Sequence, residues 1–342
     1  MPEQAPPLDL PVLAGLLRTM ARIRAFEDAA EAASQGGVSA FGNASDGRAH
    51  VRGPLHLSTG QEAVPAGVCA HLNPNDYLTS THRGHGHTLA KGADANRMMA
   101  ELFGKATGFN GGKGGSMHIA DFSVGMLGAN GVVAAGMPIA VGAAHAQKLR
   151  GDGAITCCFF GDGAINRGPF LEALNWARIF HLPVLFVCED NRWSATTPSG
   201  PMTAGDGASA RAAAMDIAVQ AVDGNDVAAV YRAARHCVQQ VRAGAGPVLL
   251  HAATYRVKGH VSVDPARYRD PAELEAALRT DPLARGREAY LAAGGSQAEL
   301  DHIEAGARDE IAAAVAAADA APWPAPEEAF EQVQTTGAGQ WF

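Results

Sequence analysis

The sequence has little positive charge, and this shortage limits the partners that the protein can have. Its 342 residues contain 27 lysines and arginines against 35 acidic residues, a formal net charge of −8. No basic cluster stands out against this balance, so nucleic acid is disfavoured as a partner. Apolar runs of membrane-spanning length are missing, and the N-terminal MPEQAPPLDLP lacks the regions of a secretory signal. We therefore expect a cytoplasmic protein with no nucleic-acid or membrane partner.

Cysteine and aromatic residues are scarce too. The five cysteines form no CxxC pair, and Cys157, Cys158 and Cys188 lie inside apolar runs, which predicts buried thiols in a reducing compartment. Aromatic residues make up only 6%, but a hydrophobic content of 47% excludes a disordered chain. The length suits one large or two ordinary domains.

The clearest local pattern is a strand, a glycine turn, a helix and a second strand. The apolar run 154–160 predicts a buried strand, which Gly161-Asp162-Gly163 ends. Gly168-Pro169 suits a helix start, and the apolar run 184–188 predicts the second strand. Elements of this length form a right-handed crossover between parallel strands, so the two carboxyl ends meet at one edge of a sheet.

Asp162 and Asn191 follow these two strands and are expected at the edge where open α/β sheets bind ligands. Their carboxylate and amide oxygens, with a nearby backbone carbonyl, are hard donors that Mg²⁺ accepts while leaving room for phosphate oxygens. A dinucleotide fingerprint would need glycine or alanine where Asn166 stands, and no Gly-Lys-Ser/Thr motif occurs. We interpret the stretch as a site for a metal-held diphosphate, with a plain tight turn as the alternative.

The stretch 80–87, STHRGHGH, places three histidines and an arginine within eight residues. Three interpretations stay open. The histidines could bind zinc, the stretch could be a solvated surface loop, or Arg83 could bind an oxyanion through its planar guanidinium.

Further glycine-rich and loop stretches surround this pattern. Residues 111–118 predict a flexible basic loop, and 128–133 precede an apolar helix of small residues over 138–147. Ordinary loop and helix packing is the alternative for both stretches. Residues 255–269 follow the apolar strand 248–254 at its carboxyl end, where functional residues concentrate.

The whole pattern predicts an α/β fold with a mostly parallel sheet, helices on both faces and a helical C-terminal tail. Further helices are expected over 12–34, near 211–220 and over 226–242. The predicted divisions are an N-terminal arm, helix and loop over residues 1–55, an α/β domain over 56–270 and a helical extension over 271–342.

Taken together, STHRGHGH at 80–87, KGGSMHIAD at 113–121, GANG at 128–131 and GDG at 161–163 followed by Asn191 mark a family. The sequence resembles the α subunits of the thiamine-diphosphate-dependent first component of 2-oxo-acid dehydrogenase complexes, and within them the acetoin branch. The resemblance implies the thiamine-diphosphate-binding fold and the cofactors thiamine diphosphate and Mg²⁺.

The resemblance also implies a role for each matching residue. Asp162, Asn191 and the Trp193 carbonyl would hold Mg²⁺. The cofactor would contact His82, Arg83, Gly131, Val133, Gly163 and Ala164. His56 would face the reacting centre, and His260 would be the catalytic histidine of its loop, with a pKa suited to proton transfer near neutrality.

Some positions depart from the family pattern. Asp190 replaces the first residue of an Asn-Asn pair, and Asn166-Arg167-Gly168 replaces Asn-Gln-Gly. Val261 stands where mammalian pyruvate-type relatives have a regulated serine, so we expect no phosphorylation there. His82 stands where pyruvate-type relatives usually have tyrosine, which favours acetoin.

By the same resemblance, the protein would cleave acetoin, or decarboxylate a 2-oxo acid, and transfer the acyl unit to a lipoyl group. It would need a β subunit with a pyrimidine-binding domain, in an α₂β₂ heterotetramer, and a lipoyl-bearing acyltransferase. Pyruvate and branched-chain 2-oxo acids are alternative substrates. The chain could instead be one half of a split transketolase or decarboxylase, or an inactive regulatory or scaffolding paralogue.

Overall fold

A computed structural model describes residues 8–37 and 47–331 of the chain. Its centre is a six-stranded sheet with the strand order β2-β1-β3-β4-β8-β7, and every pair of neighbours in it is parallel. A short antiparallel hairpin, β5-β6, lies outside this sheet. The strands are β1 Tyr77–Thr79, β2 Met126–Gly128, β3 Thr156–Gly161, β4 Val184–Asp190, β5 Trp193–Ser194, β6 Thr197–Pro198, β7 Ala218–Asp223 and β8 Val248–Ala253.

Helices surround the sheet and continue beyond it. The α-helices are α1 Leu10–Ser34, α2 Ala63–Cys69, α3 Gly84–Ala90, α4 Ala95–Leu102, α5 Gly136–Arg150, α6 Gly168–Ile179, α7 Gly207–Ala213, α8 Val227–Arg242, α9 Pro271–Leu278, α10 Pro282–Ala292 and α11 Gln297–Ala320. Short 3₁₀ helices cover Ser116–His118, Phe122–Val124, Asp162–Asn166, Gly200–Met202 and Pro326–Phe330.

Alternate side chains of the central strands enter two separate cores. Phe159 and Val187 pack on one face with α2, α4 and α8, whereas Phe160 and Phe186 pack on the other face with α5, α6 and α7. Both faces are therefore covered, which is why β3 and β4 read as unbroken apolar runs. The predicted α/β fold, its parallel sheet and its helical tail are confirmed.

The helical tail packs back on the N-terminal helix. Side chains of α1, such as Leu17 and Met20, form a third core with Tyr290, Leu300 and Ile303 from α10 and α11. Ser296 caps the start of α11, since its hydroxyl accepts a hydrogen bond from the Glu299 N–H at 3.2 Å. The divisions at residues 55 and 270 stay a prediction.

Several local expectations were wrong. The stretch 80–87 is not all loop, because α3 begins at Gly84. The helix expected near 211–220 ends at Ala213, and the chain then forms β7. The strands β1 and β2 went unpredicted, since three residues are too few to show a period.

The loop 111–118 is held in place, contrary to the expected flexibility. The buried Glu101 carboxylate accepts hydrogen bonds from the backbone N–H groups of Asn110, Gly112, Gly114 and Gly115 at 2.7–3.0 Å. Parts of the expected N-terminal arm and of the loop 35–55 lie outside the described residues.

The expectations about the cysteines and about membrane-spanning segments can be compared with the described residues. All five cysteines are free and buried, as expected. Within residues 8–37 and 47–331, none of the helices has both the length and the apolar content needed to cross a bilayer.

Candidate functional site

A cavity of about 220 Å³ opens at the carboxyl edge of the sheet. The segments that follow β1, β3, β4 and β8 meet there because all four strands run in the same direction. All eleven residues that the sequence singled out line this one cavity, and they are His56, His82, Arg83, Gly131, Val133, Asp162, Gly163, Ala164, Asn191, Trp193 and His260. The structure thus brings them together, while their individual roles stay predictions.

Asp162 is a buried carboxylate that lacks a full set of partners. Its side chain lies just after β3, and among the described residues its Oδ2 atom has no hydrogen-bond partner. Burial raises the pKa of Asp162, and the Asp190 charge raises it further, although the Ser199 hydroxyl opposes them. A buried anionic oxygen without a partner is unfavourable unless a cation completes it. The position therefore fits a metal ligand.

Asn191 is oriented by two neighbours. Its Nδ2 donates to Gln61 Oε1 at 3.0 Å, and its Oδ1 accepts the Trp193 N–H at 3.1 Å. The side-chain oxygen keeps a second lone pair for another donor or a metal. Together with Asp162, this oxygen makes a hard donor set of the kind Mg²⁺ accepts.

Glycine is required at position 163 by close packing against a neighbouring hairpin as well as by the approach of a ligand to the backbone. A Cβ atom at this position would meet the Ser194 side chain, whose hydroxyl lies too close for any added carbon. The β5-β6 hairpin therefore closes directly over the 3₁₀ turn that begins at Asp162. This packing places the Trp193 backbone next to the two predicted metal ligands.

Two guanidinium groups supply positive charge to the cavity, those of Arg83 and Arg256. Arg83 is buried and donates to the Leu57 carbonyl at 2.9 Å and the His260 carbonyl at 3.0 Å. Burial and the neighbouring Arg256 lower the pKa of Arg83 to about 9, so it stays charged at neutral pH. Neither arginine forms an ion pair with a carboxylate in the described part of the chain. Unpaired buried cations of this type fit an anionic ligand such as a diphosphate.

His56, His82 and His260 form one wall of the cavity. Their ring centroids are 4.6 Å apart for His56 and His82, 4.8 Å for His56 and His260, and 5.7 Å for His82 and His260. Burial, with the charge of Arg83, lowers the pKa of His56 to about 2 and that of His260 to about 4. The same two causes hold the pKa of His82 well below its usual value. All three rings are neutral at pH 7, and the pKa of His260 lies lower than the sequence suggested.

The remaining two histidines of the 80–87 stretch do not join this wall. His85 contacts Glu27 at 2.9 Å and Ser116 at 3.0 Å, inside the core. His87 contacts Ser80 at 2.7 Å and Glu189 at 3.1 Å. The three histidines of this stretch therefore do not form a zinc site with one another, because the His85 and His87 rings each contact partners of their own.

Sequence reasoning missed Gln61 and Arg256. Gln61 orients the Asn191 amide, and Arg256 lines the cavity with its Nη2 donating to the Ala195 carbonyl at 2.9 Å. Burial and the Arg269 charge lower the pKa of Arg256 to about 10. Its place directly after an apolar strand was the available signal, whereas nothing local marked Gln61.

Comparisons with known proteins place the chain in a family. The protein family described as the dehydrogenase E1 component matches residues 40–327. The chain is 42% identical over 319 residues to the alpha subunit of the acetoin:2,6-dichlorophenolindophenol oxidoreductase of Bacillus subtilis, covering 93% of this chain and 92% of the relative. The Cupriavidus necator protein of the same name is 42% identical, with 96% and 95% covered. The pyruvate dehydrogenase E1 component subunit alpha of Zymomonas mobilis is 41% identical, with 83% and 80% covered.

Proposed function

The chain belongs to the dehydrogenase E1 component family, and we propose that it is the α subunit of an acetoin-cleaving, thiamine-diphosphate-dependent oxidoreductase. The observation that supports acetoin best is the match to the two relatives named for it, which covers nearly the full length of this chain. The histidine wall is compatible with this substrate, because acetoin is an uncharged hydroxyketone to which neutral imidazoles can offer hydrogen bonds.

The cofactor site follows from the chemistry of the donors. Asp162, Asn191 and the Trp193 carbonyl would hold Mg²⁺, since a buried unpartnered carboxylate oxygen requires a cation. Gly163 and Ala164 would contact the diphosphate, and Arg83 would balance its charge. When bound, thiamine diphosphate supplies a carbon nucleophile and an electron sink.

The histidines would hold and move protons at the substrate oxygens. Arg83 Nη2 lies 3.2 Å from His260 Nδ1, and since a guanidinium only donates, Nδ1 accepts and Nε2 carries the proton. Asp264 accepts the His260 backbone N–H at 2.7 Å, and the Tyr268 hydroxyl donates to Asp264 at 2.7 Å. His260 is thus oriented before the substrate arrives, with its Nε2–H free to donate a hydrogen bond to a substrate oxygen. His56 lies beside it as the second candidate.

A β subunit with a pyrimidine-binding domain would complete the cavity, in an α₂β₂ heterotetramer. Val133, one of the proposed cofactor contacts, is 44% exposed on this chain. The outer faces of α5 and α6 also expose large apolar side chains, with Trp176 and Phe180 in ring contact. Such a surface needs a partner to cover it. A lipoyl-bearing acyltransferase would accept the acyl unit.

The test is dye-coupled turnover by the chain co-expressed with its β subunit. Acetoin, pyruvate and branched-chain 2-oxo acids are compared, each with and without thiamine diphosphate and Mg²⁺. We expect cofactor-dependent activity that is strongest on acetoin. Preference for a 2-oxo acid would refute the substrate, and a complex that binds the cofactor without any turnover would refute the proposed reaction.

A further inference from the structure

The three cavity histidines come from separate segments that precede α2, follow β1 and follow β8. One ring nitrogen of each lies within 4.8 Å of a ring nitrogen of the other two. We propose that His56, His82 and His260 form a second metal site, selective for Zn²⁺ over Mg²⁺ and separate from the one at Asp162. This cluster of three is the arrangement in which a protein binds Zn²⁺ and leaves the fourth position open.

The ligand chemistry favours zinc. Imidazole nitrogen suits Zn²⁺, whereas Mg²⁺ prefers oxygen and keeps its waters. Because all three rings are neutral at pH 7, no proton has to leave before the metal binds. His56 Nδ1 is buried, and within the described residues it has no hydrogen-bond partner. In the tautomer that carries its proton on Nε2, the Nδ1 atom offers a lone pair to a metal without breaking an existing contact.

The distances require only a small adjustment. Zn–N bonds of about 2.0–2.1 Å at a tetrahedral angle separate ligand nitrogens by about 3.4 Å. The observed upper limit of 4.8 Å therefore closes by at most about 1.4 Å, which rotations of the three rings can share. The fourth ligand position faces the cavity, where a water or an anion completes the tetrahedron.

Two neighbouring charges set the cost of binding. Arg83 and Arg256 both act on these rings, and their repulsion lowers the affinity for any cation. If His260 binds the metal through Nδ1, it also loses the contact with Arg83 Nη2 at 3.2 Å, although Arg83 keeps the Leu57 and His260 carbonyls. The site is therefore one of moderate affinity that responds to added zinc, and an anion in the fourth position strengthens it.

Occupancy by zinc would block catalysis, and this consequence rests on the proposed function. His56 and His260 are the proposed proton carriers, and a metal uses the lone pairs that accept protons. Zinc should therefore inhibit acetoin turnover even when Mg²⁺ is saturating. Zinc binding itself does not depend on which substrate the enzyme uses.

The binding experiment uses the full-length chain in complex with its β subunit, at saturating Mg²⁺. Zn²⁺ is titrated by calorimetry, and Co²⁺ serves as a spectroscopic probe of tetrahedral nitrogen coordination. Removing a residue that only hydrogen-bonds a metal-bound histidine already lowers metal affinity by about 10–100-fold. Removing a ligand with His82→Phe should therefore weaken zinc binding by about 100-fold or more. The control His302→Gln, on the exposed side of α11, should leave the affinity unchanged.

Two further variants cover the case in which His82→Phe does not fold and separate the histidine site from the one at Asp162. His260→Phe should reproduce the loss if His82→Phe fails to fold, and Asp162→Asn should retain zinc binding. Zinc binding that survives both histidine variants, or that disappears in Asp162→Asn, would overturn the proposal. Zinc bound by a complex that turns over no acetoin would support the site while refuting the proposed function.

Discussion

Asp162→Asn should change the stability of the metal-free chain and its affinity for the cofactor in opposite directions. In the metal-free chain the Asp162 carboxylate is buried and Oδ2 has no partner in the described structure. A buried polar group without a partner costs about 1–3 kcal/mol, and more if it is charged. Asparagine keeps a polar atom at this position but removes the charge, so the metal-free variant should gain about 1 kcal/mol or more in its free energy of unfolding, which is the extra cost of leaving a charged group unpaired.

The same change removes the only charged ligand of the proposed Mg²⁺ site. Binding of thiamine diphosphate should therefore weaken sharply and lose its dependence on Mg²⁺. Stability is measured by urea unfolding without metal, and affinity by calorimetry with and without Mg²⁺. Asp152→Asn is the control, because Asp152 is a surface partner of Arg150 and should change stability by about 0.5 kcal/mol or less. A destabilised variant with unchanged Mg²⁺-dependent affinity would refute the assignment.

Four more variants test groups in the cavity and in the core around it. His260→Ala should slow acetoin turnover by roughly 10²–10⁴-fold with cofactor affinity largely kept, and lost affinity would count against a proton-transfer role. Gly163→Ala should weaken cofactor binding, because the added Cβ atom would clash with the Ser194 side chain. Adding Ser194→Gly removes that side chain and should restore binding. A double variant that still binds weakly would contradict this packing. Glu101→Gln should lower the free energy of unfolding, measured in urea, by about 3–6 kcal/mol, because two of the four backbone N–H groups would then meet the amide NH₂ instead of a carboxylate oxygen. A loss below about 1 kcal/mol would contradict the role of this carboxylate in holding the loop. Burial raises the pKa of Glu27, but its partners His85 and Ser58 lower it more, so the net pKa lies below 4.5. The stability that Glu27 contributes is therefore present above pH 4.5 and is lost as the pH falls. Glu27→Gln should flatten the acid side of the plot of unfolding free energy against pH, and an unchanged plot would contradict this role.

The predicted parts of the fold depended on short-range rules. The unit from β3 through α6 to β4 was predictable because glycine and Pro169 mark its boundaries and because crossovers have one hand. The parallel direction of the two strands was enough to place Asp162 and Asn191 at one edge. The strands β1 and β2 were not predictable, because each has only three residues and is defined by its pairing, β1 with β3 and β2 with β1.

The features of the site also divide into those that the sequence predicted and those that it did not. Arg83 and the other residues of recognisable motifs were expected in the cavity, and the structure places them there. Gln61 carries no local mark, because its importance comes only from the Asn191 amide that it orients. The low pKa of His260 was equally hidden, since burial and the Arg83 charge that cause it belong to the folded state.

The sequence by itself determined the α/β class, the crossover unit and the acidic and amide oxygens at the sheet edge. These follow from periodicity, glycine and proline positions and the handedness of parallel connections, all of which act within one or two elements. Only the tertiary structure decided that His56, His82 and His260 share one wall and that all three are neutral. Positions so far apart along the chain are brought together by the docking of whole elements, and their charge state is set by the burial that this docking creates.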